Sequence, residues 1–269
     1  MLQLKPRENQ NMKIALFYKN DKADLISINS IADKVAKSGF ELVKEQPDVV
    51  LYIGGDGSFL RAVHHFSNEV ESVKFIGLCK GHLGFFYSYK EDELDELLKD
   101  LKSNSLKEQS YRLIEADLGK EKLFAVNEIR IESPFHTLIS DVFVNDEYLE
   151  TFRGNGLVVC SSIGSSAYNK SLGGAVINPS LDVLELTEIA PINNRVYKSL
   201  HSSLVVDDKS PITLKTKTEN ILIGFDELVS ETNSASEIKF TLSNRRVTVL
   251  YKKDYSYTSL INSTFTGDK

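Results

Sequence analysis

The chain has no tryptophan, two cysteines, two methionines and six prolines in 269 residues. Two cysteines, Cys79 and Cys160, cannot build a disulfide framework, which excludes a stapled secreted scaffold and points to a reducing compartment, the cytoplasm. Positive charge is also short: 32 Lys and Arg face 38 Asp and Glu, for a formal net charge of −6 and a pI near 5.5. That balance argues against a protein held on nucleic acid by phosphate contacts. No apolar run approaches the roughly 20 residues that a membrane-spanning helix needs. Met1 to Asn11 lacks the apolar centre of a signal peptide and reads as a flexible extension, with Met12 an alternative start. What remains, 41% hydrophobic and 26% charged residues, is a globular balance with room for two domains.

The first hundred residues alternate two kinds of pattern. Met12 to Tyr18, Val49 to Ile53 and Val73 to Leu78 are short apolar runs and read as buried strands. Leu25, Ile28, Ile31, Ala32 and Val35 recur at helical steps, with Gly39 as the stop. Residues 91–102 form an amphipathic helix, acidic at its start and basic at its end, as the helix dipole favours. Strand–helix alternation predicts a Rossmann-like α/β layer with a mostly parallel sheet. After residue 105 the character changes. Short β-rich runs come about every ten residues: Leu123 to Ile131, Ile139 to Val144, Leu157 to Cys160, Ile212 to Leu214, Ile221 to Phe225, Ile238 to Leu242 and Val247 to Tyr251. Asn145-Asp146 reads as a hairpin turn, and Ser165 to about Glu188 as broken helix. The expected organisation is an α/β domain over residues 1–105 and a β-rich domain over 106–269, with the C-terminal tail packing back on the first.

Four segments can carry chemistry. Gly54-Gly55-Asp56-Gly57-Ser58 follows a strand and opens a helix that Ser58 can cap. Its glycines permit positive φ and close backbone approach. Its N–H groups and the helix start can hold phosphate. Asp56 can accept a proton from an attacking hydroxyl, ligate Mg²⁺, or simply cap the turn. Gly81-His82-Leu83-Gly84-Phe85-Phe86 sits after the next strand, where Phe85 either covers a flat ring or joins the core. Asn127-Glu128 lies inside an otherwise apolar strand and suits ribose hydroxyls or an adenine edge, or a solvated strand end. Phe152-Arg153-Gly154-Asn155-Gly156 leads through a strand into Ser161-Ser162-Ile163-Gly164-Ser165-Ser166-Ala167-Tyr168-Asn169-Lys170-Ser171, a hydroxyl-rich turn whose Tyr168 either stacks on a base or packs on its helix. Gly164 to Ser171 nearly has P-loop spacing, but Asn169 replaces the second glycine and Lys170 falls inside the helix, so that reading is rejected. His82 lies near Cys79 without a second ligand pair, and no residue is assigned to a metal. Asp226-Glu227 reads as an acidic turn or a site edge.

Taken in order, these motifs resemble NAD kinases of the bacterial type, the ATP- or polyphosphate-dependent family, over Met12 to about Tyr251. The family pattern of a GGDGT loop, a GxLGF loop, an NE pair, an FRGDG-like segment and a TPTGSTAYS-like loop appears here as GGDGS, GHLGFF, NE, FRGNG and SSIGSSAYNKSLGGA. The resemblance implies phosphoryl transfer from ATP, with Mg²⁺, to the 2′-hydroxyl of the adenosine ribose of NAD⁺, giving NADP⁺. It implies Asp56 as general base and Gly54, Gly55 and Gly57 as a phosphate cradle. Asn127, Glu128, Ser166, Ala167 and Tyr168 would contact the dinucleotide, with Arg153, Asn155 and Ser171 in the same binding set. Phe85, Ala190 and Ile192 would line its pocket. A homotetramer is implied too, with an active site to which both domains contribute. The chain departs from the pattern at Ser58, Ser161, Ser162, Ile163 and Ser166, and most at Asn155, where the family has Asp. GGDG is also shared by lipid and sugar kinases, and a non-catalytic dinucleotide sensor is the competitor from another class.

Overall fold

The computed structural model describes residues 11–18, 25–79, 84–232 and 237–267. The expected N-terminal extension up to residue 10 and His82 lie outside them. The chain divides into two compact units, Met1–Ser110 with Val247–Lys269, and Tyr111–Arg246. In the first unit the chain runs through β1 (Lys13–Tyr18), α1 (Leu25–Lys37), β2 (Glu41–Leu42), β3 (Val49–Ile53), α2 (Asp56–His65), β4 (Lys74–Cys79), β5 (Tyr89–Lys90) and α3 (Leu94–Ser103). β1 pairs with β2 and β3, and β3 with β4, all in parallel. β3 is buried along its whole length, which is why it reads as a continuous apolar run rather than an alternation. Ile28, Ile31 and Val35 of α1 and Leu94, Leu97, Leu98 and Leu101 of α3 pack with Ile14, Leu51 and Ile76 of the strands. Phe59 of α2 meets the rings of Tyr52 and Phe75 and stacks on Phe86 at 4.1 Å.

The second unit takes the chain through the end of β6 (Lys107–Asp117), β7 (Lys122–Ala125), β8 (Glu128–Glu132), β9 (Leu138–Val144), β10 (Glu147–Gly154), β11 (Gly156–Ser161), α4 (Tyr168–Ser171), β12 (Val183–Ile189), β13 (Leu204–Asp207), β14 (Ile212–Thr216), β15 (Ile221–Phe225), β16 (Leu228–Thr232) and the start of β17 (Glu237–Tyr251). One antiparallel sheet has the order β13-β12-β11-β8-β15-β16. β10, β9, β14 and β17 pair antiparallel in another. Ile129, Ile131, Leu157, Val159 and Leu186 of the first and Leu138, Val142, Phe152, Leu214 and Phe240 of the second share one core. The fold is thus an α/β unit followed by a β-rich unit. The end of β17 returns the chain to the first unit, pairing in parallel with β4 before α5 (Tyr257–Ile261). Among the described residues no helix is long and apolar enough to cross a membrane.

Local expectations fare unevenly. Asn145 and Asp146 both take positive φ, at 53° and 64°, in the tight turn joining β9 to β10. Leu123 to Ile131 is not one strand but β7 and β8, broken at Val126 and Asn127. Ile238 to Leu242 and Val247 to Tyr251 are one strand, since the polar residues between them still continue the ladder. Ser165 to Glu188 holds only the four-residue α4 before becoming β12, because Glu185 and Thr187 are buried in a sheet rather than on a helix. Ser58 does not cap α2: the helix begins at Asp56, and Ser58 is buried inside its first turn.

Candidate functional site

At the carboxyl end of β3 the chain turns through Gly54, whose φ of +139° and lack of room above the Ser58 side chain both require glycine. Asp56 is the first residue of α2, and its carboxylate accepts the N–H groups of Phe85 at 3.1 Å and Phe86 at 3.3 Å. Burial pushes the carboxyl pKa up, and the two N–H donors pull it part of the way back. The hydroxyls of Tyr87, Tyr52 and Tyr251 donate to the carbonyls of Gly55, Phe86 and Phe85, lacing the glycine turn and the 84–87 segment together. A Cβ on Gly84 would fall on the Asp56 carboxylate itself. Gly55 faces open space, and a Cβ on Gly57 would meet only the Arg61 guanidinium at 3.5 Å, so this backbone is accessible beside a fixed carboxylate. Phe85 is half-buried, with the ring of Phe265 at 5.7 Å and that of Tyr257 at 6.4 Å. A cavity of about 580 Å³ beside Lys13 and Asp48 lies at the opposite, amino ends of β1 and β3. Ligands in parallel α/β sheets bind at the carboxyl ends, the ends at which Asp56 lies.

In the second unit, Asn127 and Glu128 sit where β7 breaks into β8. Glu128 is buried, and its Oε2 has no hydrogen-bond partner among the described residues. Its pKa rises to about 8, first through burial and then through the nearby charge of Asp226, with Arg130 opposing. No hydrogen bond among the described residues engages the side-chain amide of Asn127, although the residue is buried. The turn is held by Asp226, whose carboxylate accepts the N–H groups of Val126 at 2.9 Å and Asn127 at 2.8 Å.

The hydroxyl-rich loop is braced from within. Glu185, fully buried, accepts the Asn169 amide at 2.8 Å and the N–H of Ala175 at 2.7 Å, and Thr187 donates to the Asn169 Oδ1 at 2.6 Å. Asn169 is therefore a strut of the loop. Ser166 is buried with its hydroxyl donated to the Ile163 carbonyl at 3.3 Å. Ala167 and Tyr168 are half-buried and Ser171 is exposed. The Arg130 guanidinium lies over the Tyr168 ring at 5.8 Å, which ties this loop to β8.

Arg153, Asn155, Ala190 and Ile192 come together through the backbone: Ile192 N–H donates to Arg153 O at 2.7 Å and Asn155 N–H to Ile189 O at 3.0 Å. Asn155, Ala190 and Ile192 are exposed, and the Arg153 guanidinium covers the Tyr197 ring at 4.4 Å. Of the residues singled out in the sequence, the first unit thus gathers Gly54 to Gly57 with Phe85, and the second gathers Asn127 and Glu128 with the 161–171 loop. The 153–155 and 190–192 pair forms its own cluster. Asp226, Ser161, Gly84 and Glu185 hold these groups. Asp226, Ser161 and Gly84 lie in segments that the sequence singles out, and Glu185 alone does not.

The chain thus sets an α/β unit with a carboxylate fixed at a glycine turn before a β-rich unit with a buried polar turn and a hydroxyl-rich loop. Residues 7–105 match the ATP-NAD kinase N-terminal domain and residues 126–251 the ATP-NAD kinase C-terminal domain. NAD kinases of Leuconostoc mesenteroides and Streptococcus pneumoniae are 35% and 37% identical over 241 and 245 residues. In each case the match spans 88% of this chain, and it covers 91% and 90% of the respective relative. The chain belongs to the NAD kinase family. Its fold matches an NAD kinase from Archaeoglobus fulgidus in complex with ATP, at TM-score 0.75 and 21% identity over 93% of this chain and 98% of that one. It also matches yeast NADH kinase complexed with NADH, at TM-score 0.81 and 17% identity over 97% and 90% of the two chains.

Proposed function

We propose that this protein transfers the γ-phosphoryl group of ATP to the 2′-hydroxyl of the adenosine ribose of NAD⁺, giving NADP⁺ and ADP. The carrying observation is the Asp56 carboxylate, held by two backbone N–H groups beside the open Gly55 backbone. Asp56 takes the hydroxyl proton as the new O–P bond forms and the bond to ADP breaks. Its raised pKa makes it a better base than an exposed carboxylate, and its two N–H bonds fix where it points. Gly54, Gly55 and Gly57 offer backbone donors to phosphate. Residues 1–105 thus handle phosphate and proton, and residues 106–269 recognise the dinucleotide through Asn127, Glu128, Ser166, Ala167, Tyr168 and Ser171. Arg153, Asn155, Ala190 and Ile192 complete the recognition set.

Mg²⁺ enters with ATP. Among the described residues no three His, Cys, Asp or Glu side chains gather at metal distance, and Asp56 already serves two backbone donors. Asp56 is the carboxylate that would help hold an ion arriving with the nucleotide phosphates. The ion would neutralise charge on the transferring group. Self-association, to the homotetramer implied by the motifs, draws support from large apolar side chains that stay exposed in the second unit: Phe135 at 89%, Val196 at 77% and Tyr148 at 59%. The cytoplasm is the proposed location.

The test is incubation with ATP, Mg²⁺ and NAD⁺, followed by an NADP-specific dehydrogenase to detect product. NADP⁺ should accumulate in step with ADP. ATP consumption that requires a lipid or a sugar would contradict the proposal in favour of that kinase class. Dinucleotide binding without turnover would make the protein a sensor.

A further inference from the structure

The turn at Val126 and Asn127 has a complete backbone account. Asp226 accepts both N–H groups, at 2.9 and 2.8 Å. Ser161 serves both carbonyls: its hydroxyl donates to Val126 O at 2.7 Å and its N–H to Asn127 O at 2.9 Å. Asp226 also donates its own N–H to Glu128 O at 3.1 Å, and its carbonyl accepts Arg130 Nη1 at 3.3 Å. It does so with φ at +50°, a conformation the surrounding bonds must over-determine. Gly164 N–H donates to the Ser161 hydroxyl at 3.1 Å, and a Cβ on Gly164 would strike the Asn127 carbonyl. Every backbone polar group of the turn is therefore spent, and among the described residues Glu128 Oε2 is buried without a hydrogen-bond partner and none is seen for the Asn127 amide.

We propose that Asp226 and Ser161 are positioning residues for the dinucleotide: a two-residue clamp that presents the Asn127 amide and a Glu128 carboxyl oxygen, neither of them hydrogen-bonded among the described residues. The inference rests on the proposed function, because it needs a dinucleotide to be what Asn127 and Glu128 meet. It adds that affinity for that ligand is set by two residues that do not touch it. Asp226 has a second effect through charge. The groups facing Glu128 are Asp226 on the β15–β16 turn, Arg130 on β8, Cys160 on β11 and Tyr168 on α4. Removing the Asp226 charge lets Glu128 ionise at lower pH, whereas removing the Ser161 hydroxyl does not.

Titration calorimetry of NAD⁺ into wild type, Asp226→Asn and Ser161→Ala tests this, with KM for ATP measured beside it. An Asn at 226 offers one acceptor to two N–H groups and sets its own amide hydrogens against one of them. Asp226→Asn should weaken NAD⁺ binding about tenfold or more and Ser161→Ala about three- to tenfold, with KM for ATP within about twofold in both. The pH dependence of NAD⁺ affinity should show an inflection near 8 in wild type. The inflection should move down in Asp226→Asn and stay in Ser161→Ala, a change that a merely structural role would not cause. Should Asp226→Asn fail to fold, Ser161→Ala decides alone. Unchanged NAD⁺ affinity in the folded variants, with wild type binding NAD⁺, overturns the clamp and leaves the kinase reading standing. Failure of wild type to bind NAD⁺ overturns both.

Discussion

Both units hold a turn with the same device: one carboxylate accepting two consecutive backbone N–H groups. In the first unit Asp56 receives Phe85 and Phe86; in the second Asp226 receives Val126 and Asn127. The difference is in what else the carboxylate does. Asp56 is both the fastener and, under the proposed function, the base. In the second unit the fastener, Asp226, is separate from Glu128, the carboxyl that under the proposed function meets the ligand. Damage at the first site should therefore strike turnover, and damage at the second should strike binding.

The glycines beside each site give the largest expected contrast. Gly84→Ala places a methyl group on the Asp56 carboxylate. It should lower kcat about a hundredfold, the scale of a misplaced catalytic group, while NAD⁺ affinity changes a few-fold at most. Gly164→Ala places its methyl group on the Asn127 carbonyl and should do the reverse, raising the Kd for NAD⁺ tenfold or more. Steady-state kinetics with calorimetry separates the two, and the same parameter failing in both variants would break the comparison.

A smaller effect should appear in stability. Glu128 has its pKa raised from the ordinary 4.5 to about 8, so the folded protein holds a proton that the unfolded chain releases. Stability from this group is full below pH 4.5 and is lost as pH rises toward 8, at no more than about 1.4 kcal/mol per pH unit. Glu128→Gln should remove that loss, so its melting temperature should gain on wild type between pH 5 and 8. Glu188, pushed up to about 7 by burial and by Glu150, contributes alike to both proteins, which isolates Glu128 in the difference. The least effect is expected at the thiols. Cys79 and Cys160 are buried, and burial raises both pKa values, Cys160 the further. An aromatic disulfide reagent should label neither within minutes at pH 7 until denaturant is added, and rapid labelling of Cys160 would contradict the closed core beneath the second site.

What the sequence disclosed was local. The buried strands β3 and β4, the glycine turn and the Asn145-Asp146 hairpin each declare themselves within a few residues. The groups that hold the sites act at long range. Asp226 reaches its partners across 100 and 99 residues. No spacing rule could separate Asn127-Glu128 within a strand from Asn127-Glu128 at a break, because the break is imposed by Asp226 and Ser161. Glu185 was hidden for the same reason: it reads as a helical acid until β12 buries it against Asn169. The need for glycine at 84 and 164 is visible only once the carboxylate and the carbonyl above them are in place.

The division of labour between the two sites is tested most directly by one pair of measurements on Asp56→Asn, its NAD⁺ affinity and its turnover with ATP. The account predicts a Kd within about threefold of wild type and a kcat lower by roughly a hundredfold or more, as loss of a positioned base requires. Turnover near the wild-type rate, or NAD⁺ binding lost together with turnover, would contradict it.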